Sequence, residues 1–446
     1  MEKIEKRKLF LETYGCQMNV SDSEVVAAIL LQKNYEITDN VSEAHLILLN
    51  TCSIRDNAEQ KIRNRLIQFQ HYKKNGKGPV IGLLGCMAER IKDKLLEEEK
   101  IVDLIAGPDS YRDLPRLIKM SESGQKSVNT LLSIEETYGD ISPVRLDENG
   151  VSAFISITRG CNNLCTYCVV PFTRGRERSR NPKSILKEAK EIHAQGYKEI
   201  TLLGQNVDSY RWTDHINDVD IDFADLLAMT ASEFPGIRIR FSTSHPKDMS
   251  EKVLNTISGY YNICKSIHLP AQSGSTEVLD RMKRRYTREE YLGKIEAIRR
   301  ILPEAAISTD IIAGFCGETS DEHAQTVSMM KEAGFDFAFM FKYSERPGTL
   351  AAKKYSDDVP EDIKSERLDE IIKLQNILSL ESKKKDVGLV YEVLVEGPSK
   401  KSGEENMGRT SQNKVVVFPA GETKPGDIVK VKIEGCTSAT LLGKIE

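Results

Sequence analysis

The chain has 446 residues, 39% hydrophobic and 29% charged, with a formal net charge of −4. That length exceeds a single hydrophobic core and implies about two to four domains. No apolar run approaches the roughly 18 residues of a membrane-spanning helix. The net charge is too small to signal a nucleic-acid partner except through local basic patches. The N-terminus, MEKIEKRKLF, has no apolar stretch and carries Glu2 and Glu5, so a cytoplasmic protein is expected. Nine unevenly spaced cysteines do not read as a secreted disulfide framework, and reduced thiols serving as metal ligands fit better.

Along residues 8–110, short apolar runs (Leu9–Thr13, Leu46–Asn50, Val80–Leu84) alternate with the helical stretches Ser23–Gln32 and Glu59–His71. This βαβαβ pattern predicts a parallel sheet. Residues 121–150 are polar and read as a linker with a turn at Ser142-Pro143. A second α/β series follows, with strands Ala153–Thr158, Glu199–Leu203, Ile237–Ser242, Ser266–Leu269, Ala306–Ile312 and Phe337–Lys342. Helices such as Lys183–Gln195 and Arg288–Ile301 separate them, and six βα units make an incomplete TIM-type barrel. Pro360–Lys385 is a long amphipathic helix. Beyond Gly388 the period falls to two in Leu389–Val395, Lys414–Phe418, Val429–Ile433 and Thr437–Leu442, which predicts a small all-β barrel.

The densest chemistry is Cys161-Asn-Asn-Leu-Cys165-Thr-Tyr-Cys168, just after the predicted strand that ends in Thr158. Ligands collect at the carboxyl ends of strands in α/β folds, which places this segment at the barrel mouth. Three close thiolates without a nearby fourth can hold a 4Fe-4S cube with one open iron; a zinc site completed by a distant residue such as His268 is the alternative. The spacing C-x3-C-x2-C is that of the radical S-adenosylmethionine (SAM) enzymes, which the segment resembles. In that resemblance Tyr167 faces the adenine of SAM. Gln205, Asn206, Ser244, His245, Gln272, Asp310, Gly314 and Glu318, at later strand ends, supply polar groups for its zwitterionic end.

A second cysteine set is dispersed. Cys16, Cys52 and Cys86 each follow one of the first three predicted strands, at spacings of 36 and 34 residues, one βα unit apiece. Adjacent parallel strands bring such ends together, where three thiolates suit a second open-iron cluster; three buried structural cysteines is the plainer reading. Cys264, Cys316 and Cys436 are isolated and read as structural, with Cys316 in AGFCGET near the expected SAM site. Arg174, Arg176, Arg178 and Arg180, opposed by Glu177 alone, form a basic patch suited to RNA phosphates, and Arg281, Lys283, Arg284, Arg285 and Arg288 form another.

Together TYGCQMN, NTCSIRDNAEQK, GCNNLCTYCVVPFTRGRERSR, HLPAQSGS, RMKRRYTREEY and YSERPGT resemble the radical SAM methylthiotransferase family over nearly the whole chain. The TYGCQMN and TRGRERSR wordings are nearest the tRNA branch acting on isopentenyladenosine. Sister branches act on threonylcarbamoyl-adenosine or on a ribosomal-protein aspartate, and a non-catalytic iron–sulfur RNA-binding protein is the alternative of a different class. The resemblance implies an α/β architecture: a flavodoxin-like domain over residues 7–125, a linker over 126–150, a partial (β/α)6 radical SAM barrel over 151–380 and an OB-like RNA-binding TRAM barrel over 381–446. It also implies two 4Fe-4S clusters, on Cys161, Cys165 and Cys168 and on Cys16, Cys52 and Cys86, with SAM as cosubstrate. The first would generate a radical from SAM that takes hydrogen from carbon 2 of the adenine, and the second would present sulfur methylated by another SAM. The expected partners are a tRNA anticodon stem-loop and a flavodoxin- or ferredoxin-type reductant, with the chain a monomer.

Overall fold

The computed structural model describes residues 6–52, 56–73, 78–146, 150–214, 216–400 and 402–446. Ser53, Ile54 and Arg55 of the NTCSIRDNAEQK motif lie outside the described residues. Two compact units form: Met1–Leu146 with Thr158–Asn162 and Val169–Ser184, and Asp147–Ile157 with Asn163–Cys168 and Ile185–Glu446.

The first unit is built on a six-stranded parallel sheet. Its strands are β1 (Arg7–Thr13), β2 (Tyr35–Ile37), β3 (Leu46–Thr51), β4 (Val80–Leu84), β5 (Leu104–Ala106) and β6 (Ser127–Asn129), in the order β2-β1-β3-β4-β5-β6. Strands β3 and β4 are buried at every position, which is why they read as unbroken apolar runs rather than alternating ones. The helix after β1 begins at Gln17, ahead of the expected Ser23, and its Asn19, Ser21, Asp22, Ser23 and Glu24 are all buried. Those polar residues hid its start. Strand β6 occupies part of the stretch expected to be linker, and it joins the sheet through Ala106↔Asn129.

In the second unit the six expected barrel strands appear as β7 (Ser152–Ser156), β10 (Glu199–Leu203), β13 (Arg238–Ser242), β14 (Ser266–His268), β15 (Ala306–Ala313) and β16 (Phe337–Lys342). The short pair β8 (Thr158–Arg159) and β9 (Arg178–Ser179) belongs to the first unit, and β11 (Arg211–Asp214) with β12 (Val219–Asp222) is a hairpin. The barrel strands form two parallel triplets, β13-β10-β7 and β14-β15-β16, which meet at the bridge Ile239↔Ile263 and where the Ser244 amide donates to the His268 carbonyl. Helix Arg288–Ile301 spans the expected residues because Thr287 and Glu290 cap it reciprocally. The long helix Glu361–Lys384 packs against β16.

The chain ends in a closed five-stranded barrel ordered β17-β18-β19-β21-β20: β17 (Val390–Ser399), β18 (Ser402–Arg409), β19 (Val415–Pro419), β20 (Ile428–Cys436) and β21 (Leu441–Ile445). It is seated against β13. Arg238 donates to the carbonyls of Arg409 (2.8 Å) and Glu392 (2.9 Å), and Arg240 to those of Thr410 (2.7 Å) and Ser411 (3.1 Å). Glu199 accepts from Arg240 Nε at 2.7 Å and balances its buried charge.

Candidate functional site

In the first unit, the ends of β1, β3 and β4 are adjacent, and Cys16, Cys52 and Cys86 leave them side by side. The Cys16 and Cys52 thiols are in hydrogen-bond contact, and that bond draws the Cys16 thiol down to about 6; burial opposes the shift and the Arg174 guanidinium assists it. Burial pushes the Cys86 thiol up, against the pull of the same arginine, whose Nε lies 3.1 Å from Cys86 Sγ. Gly15 is required here: its φ is +139°, and a Cβ would come within 2.6 Å of Cys52 Cβ.

A buried amide network fixes these three ends. Asn19 Nδ2 donates to Asn50 Oδ1 (3.1 Å) and to the Thr51 carbonyl (3.2 Å), while Asn50 Nδ2 donates to the Asn19 carbonyl (2.8 Å) and Ser23 Oγ (3.0 Å). Thr51 Oγ1 reaches the Leu84 carbonyl at 2.6 Å, which links β3 to β4. Asp22, 1% exposed, accepts from Arg159 (2.7 Å) and Arg174 (2.9 Å). Burial acts to raise its pKa, and the two guanidinium groups win and hold it below the usual carboxylate range. Asn19, Asp22 and Asn50 were not anticipated from sequence. The signal available was a run of polar residues directly after TYGC, ahead of the helix expected from Ser23.

The TRGRERSR arginines depart from the RNA-contact expectation. Arg174, Arg178 and Arg180 are 2%, 6% and 5% exposed. Arg178 is paired with Asp109 at 2.8 Å and donates to the Ser133 and Glu136 carbonyls, and Arg180 Nε donates to Ser184 Oγ at 2.8 Å. Their charge is spent on internal acceptors, so of the four only Arg176 presents an exposed guanidinium. In the same unit Cys161 N donates to the Gly175 carbonyl (3.1 Å). Gly160, at φ +73°, brings the backbone so close that a Cβ would sit 2.0 Å from the Arg176 carbonyl oxygen.

The second unit holds Cys165, Tyr167 and Cys168. The Cys168 amide donates to the Cys165 carbonyl at 3.1 Å, and Thr166 is tied to the Met282 and Arg281 carbonyls. Arg284 is 5% exposed; its Nη1 lies 3.4 Å from both Cys165 Sγ and Tyr167 Oη. This arginine also departs from the surface-patch reading, as do Arg281, paired with Glu322, and Arg288, paired with Glu332. Lys283 and Arg285 stay exposed.

The expected SAM-facing residues lie at strand ends of this unit. Asn206 donates to Asp248 at 2.7 Å, while its Oδ1 is buried with no hydrogen-bond partner among the described residues. Burial raises the Asp208 carboxyl to about 7, with Ser244 and the His245 backbone facing it. Gln272 bridges to β15 through Asp310 and Ile312, and Gln205 is half-buried beside Asn206. Asp310 faces His268 at 3.4 Å, and His268 Nδ1 meets Ser308 Oγ at 3.0 Å, which occupies the imidazole proposed for a zinc site. Glu318 is withdrawn: Arg367 and the Gly314 amide hold it at 2.9 and 2.7 Å. Cys316 packs with Phe315 and Tyr343 and Cys264 is buried, consistent with structural roles.

Among the described residues no three His, Cys, Asp or Glu side chains are gathered as ligands of one metal ion. Three cysteine thiols flanked by a buried guanidinium are the donor chemistry that an iron–sulfur cube takes. Among the described residues Arg174 Nη1 is buried without a partner beside Cys16 and Cys86, and the buried polar groups of Asn206, Asp208 and Ser244 suit a polar cosubstrate.

These features define a radical SAM methylthiotransferase, and the chain belongs to that family. Residues 8–107 match the uncharacterized protein family UPF0004, residues 155–330 the radical SAM superfamily and residues 384–445 the TRAM domain. A tRNA-2-methylthio-N(6)-dimethylallyladenosine synthase of Amoebophilus asiaticus is 59% identical over 98% of this chain and 92% of its own. Proteins of the same name from Bacteroides thetaiotaomicron and Porphyromonas gingivalis are 54% and 52% identical, over 99% and 100% of this chain and 96% of theirs. Among solved structures, the radical SAM methyltransferase TsrM of Kitasatospora setae shares the fold, with a TM-score of 0.57 at 13% identity over 88% of this chain and 79% of its own. A radical SAM enzyme works with a 4Fe-4S cluster and SAM. No helix among the described residues is long and apolar enough to cross a membrane.

Proposed function

We propose that the chain methylthiolates carbon 2 of N6-isopentenyladenosine at position 37 of tRNA, next to the anticodon, using two 4Fe-4S clusters. The observation that carries this reading is the meeting of Cys16, Cys52 and Cys86 at three adjacent strand ends, with Arg174 against the thiols. A radical SAM enzyme that only abstracts hydrogen has no use for a second thiol triad. When bound, the group on Cys161, Cys165 and Cys168 supplies the electron that opens SAM, and the group on Cys16, Cys52 and Cys86 supplies the sulfur. The names borne by the relatives favour an isopentenyl-type base over threonylcarbamoyl-adenosine or a ribosomal-protein aspartate.

The chain's own residues have separate tasks. Asn19, Asn50 and Thr51 hold the three strand ends in register, and Arg174 offsets thiolate charge in a buried setting. Asn206, Asp208 and Ser244 offer SAM its hydrogen-bond partners, with Tyr167, Gln205, Gln272 and Asp310 around them. Arg176 and the terminal barrel meet the RNA, and a flavodoxin- or ferredoxin-type protein delivers electrons to a cytoplasmic monomer. The test incubates anaerobically reconstituted protein with SAM, a reductant and tRNA bearing isopentenyladenosine, and reads nucleosides by mass spectrometry. A methylthio product is expected; none with this tRNA but product on a ribosomal protein overturns the substrate. Iron counts should fall by one cluster's worth in each of Cys16→Ala and Cys161→Ala, and a variant that keeps all its iron removes that triad from the ligand set.

A further inference from the structure

Each cysteine set has one buried arginine against a thiol, but the two arginines are neutralised differently. Arg174 at Cys86 is met by the Asp22 carboxylate at 2.9 Å. Arg284 at Cys165 is met by none: its partners among the described residues are the Tyr286 hydroxyl and the Pro270 carbonyl, both at 2.9 Å, besides Tyr167 Oη and Cys165 Sγ at 3.4 Å. A buried guanidinium without a carboxylate is costly unless another anion completes it. The backbone also holds it there under strain. Lys283 and Arg285 on either side have φ of +55° and +61°, a left-handed conformation that is unfavourable for a residue with a side chain. That pair of turns directs Arg284 inward and its two neighbours outward.

We propose that Arg284 is a positioning residue that sets the reduction potential of the cluster on Cys161, Cys165 and Cys168, the missing counter-anion of its guanidinium being the thiolate-ligated cluster itself. This rests on the cluster reading given above. An N–H donated to a ligand sulfur and an unneutralised positive charge both favour the more negative, reduced state, so Arg284 raises the potential at which that cluster accepts its electron. Asp22 cancels much of the same influence at Cys86, so the two clusters are tuned apart by the presence or absence of one carboxylate.

The test is a redox titration, followed by electron paramagnetic resonance, of the full-length reconstituted protein. The signal perturbed by added SAM marks the central cluster. Arg284→Gln, which keeps polarity and loses charge, is expected to move that midpoint to a more negative value. Arg284→Lys is expected to leave it near wild type. A SAM-responsive signal with an unchanged midpoint in Arg284→Gln overturns this inference alone, whereas a wild-type protein with no SAM-responsive signal overturns the cluster reading and this inference with it. If Arg284→Gln fails to retain iron, wild-type protein labelled with 15N in its arginine side chains decides the matter. A 15N hyperfine coupling on the SAM-responsive signal is expected, and its absence overturns the proposal.

Discussion

Glu89 shows what a single buried carboxyl does in the first unit. It is 0% exposed, and its one ion pair among the described residues is with Lys92 at 3.3 Å. Burial raises its pKa to about 7. A carboxyl whose folded pKa lies above its unfolded value of 4.5 stabilises the fold below that value and loses this stability as pH rises towards 7. Glu89→Gln should therefore gain on wild type between pH 4.5 and 7 and hold a constant advantage above, of about 3 kcal/mol. Denaturant midpoints at pH 5, 6, 7 and 8 check this; a gap that does not grow with pH removes Glu89 as its source. The arginines teach a related lesson. A run such as RGRER states how much charge is present but not which way each side chain turns, and its buried members are decided by Asp22 and Asp109, far away in sequence. The placing of Cys16, Cys52 and Cys86 at adjacent strand ends was legible because each follows an apolar run, β1, β3 or β4, at one βα unit's spacing.

At the scale of elements, the Gly160 turn after β8 sets where Cys161 begins. Its φ of +73° alone makes Gly160→Ala costly by about 1–2 kcal/mol, and the contact with the Arg176 carbonyl adds to that. The variant should melt lower and bind less iron on reconstitution; wild-type iron content would show that the turn is not needed to place the thiol. Continuous apolar runs and capped helices were readable, as β3, β4 and helix Arg288–Ile301 illustrate. Short or polar strands were not. β2, β5 and β6 have three residues each and are strands because neighbours pair with them. β18, with the sequence SGEENMGR, lacks branched residues and owes its state to pairing with β17 on one side and β19 on the other.

For the whole molecule, the proposed RNA surface shrinks to groups that remain exposed. Arg176→Glu should weaken binding of an anticodon stem-loop, with a larger loss at low salt than at high salt. Affinity that is unchanged across a salt series takes Arg176 off the RNA path. Arg178→Glu is a different experiment, because it strips Asp109 of a buried partner and should lower the melting temperature in the absence of RNA. The seating of the small barrel carries a consequence for substrate size. Arg238 and Arg240, which grip its main-chain carbonyls, lie near the start of β13, while Ser244 lies just past the other end of that strand. Six residues of extended chain separate Arg238 from Ser244, a span of about 20 Å. On the reading proposed above, an RNA that touches both the barrel and the strand-end residues must extend over that height, and a lone modified nucleoside reaches only one of them.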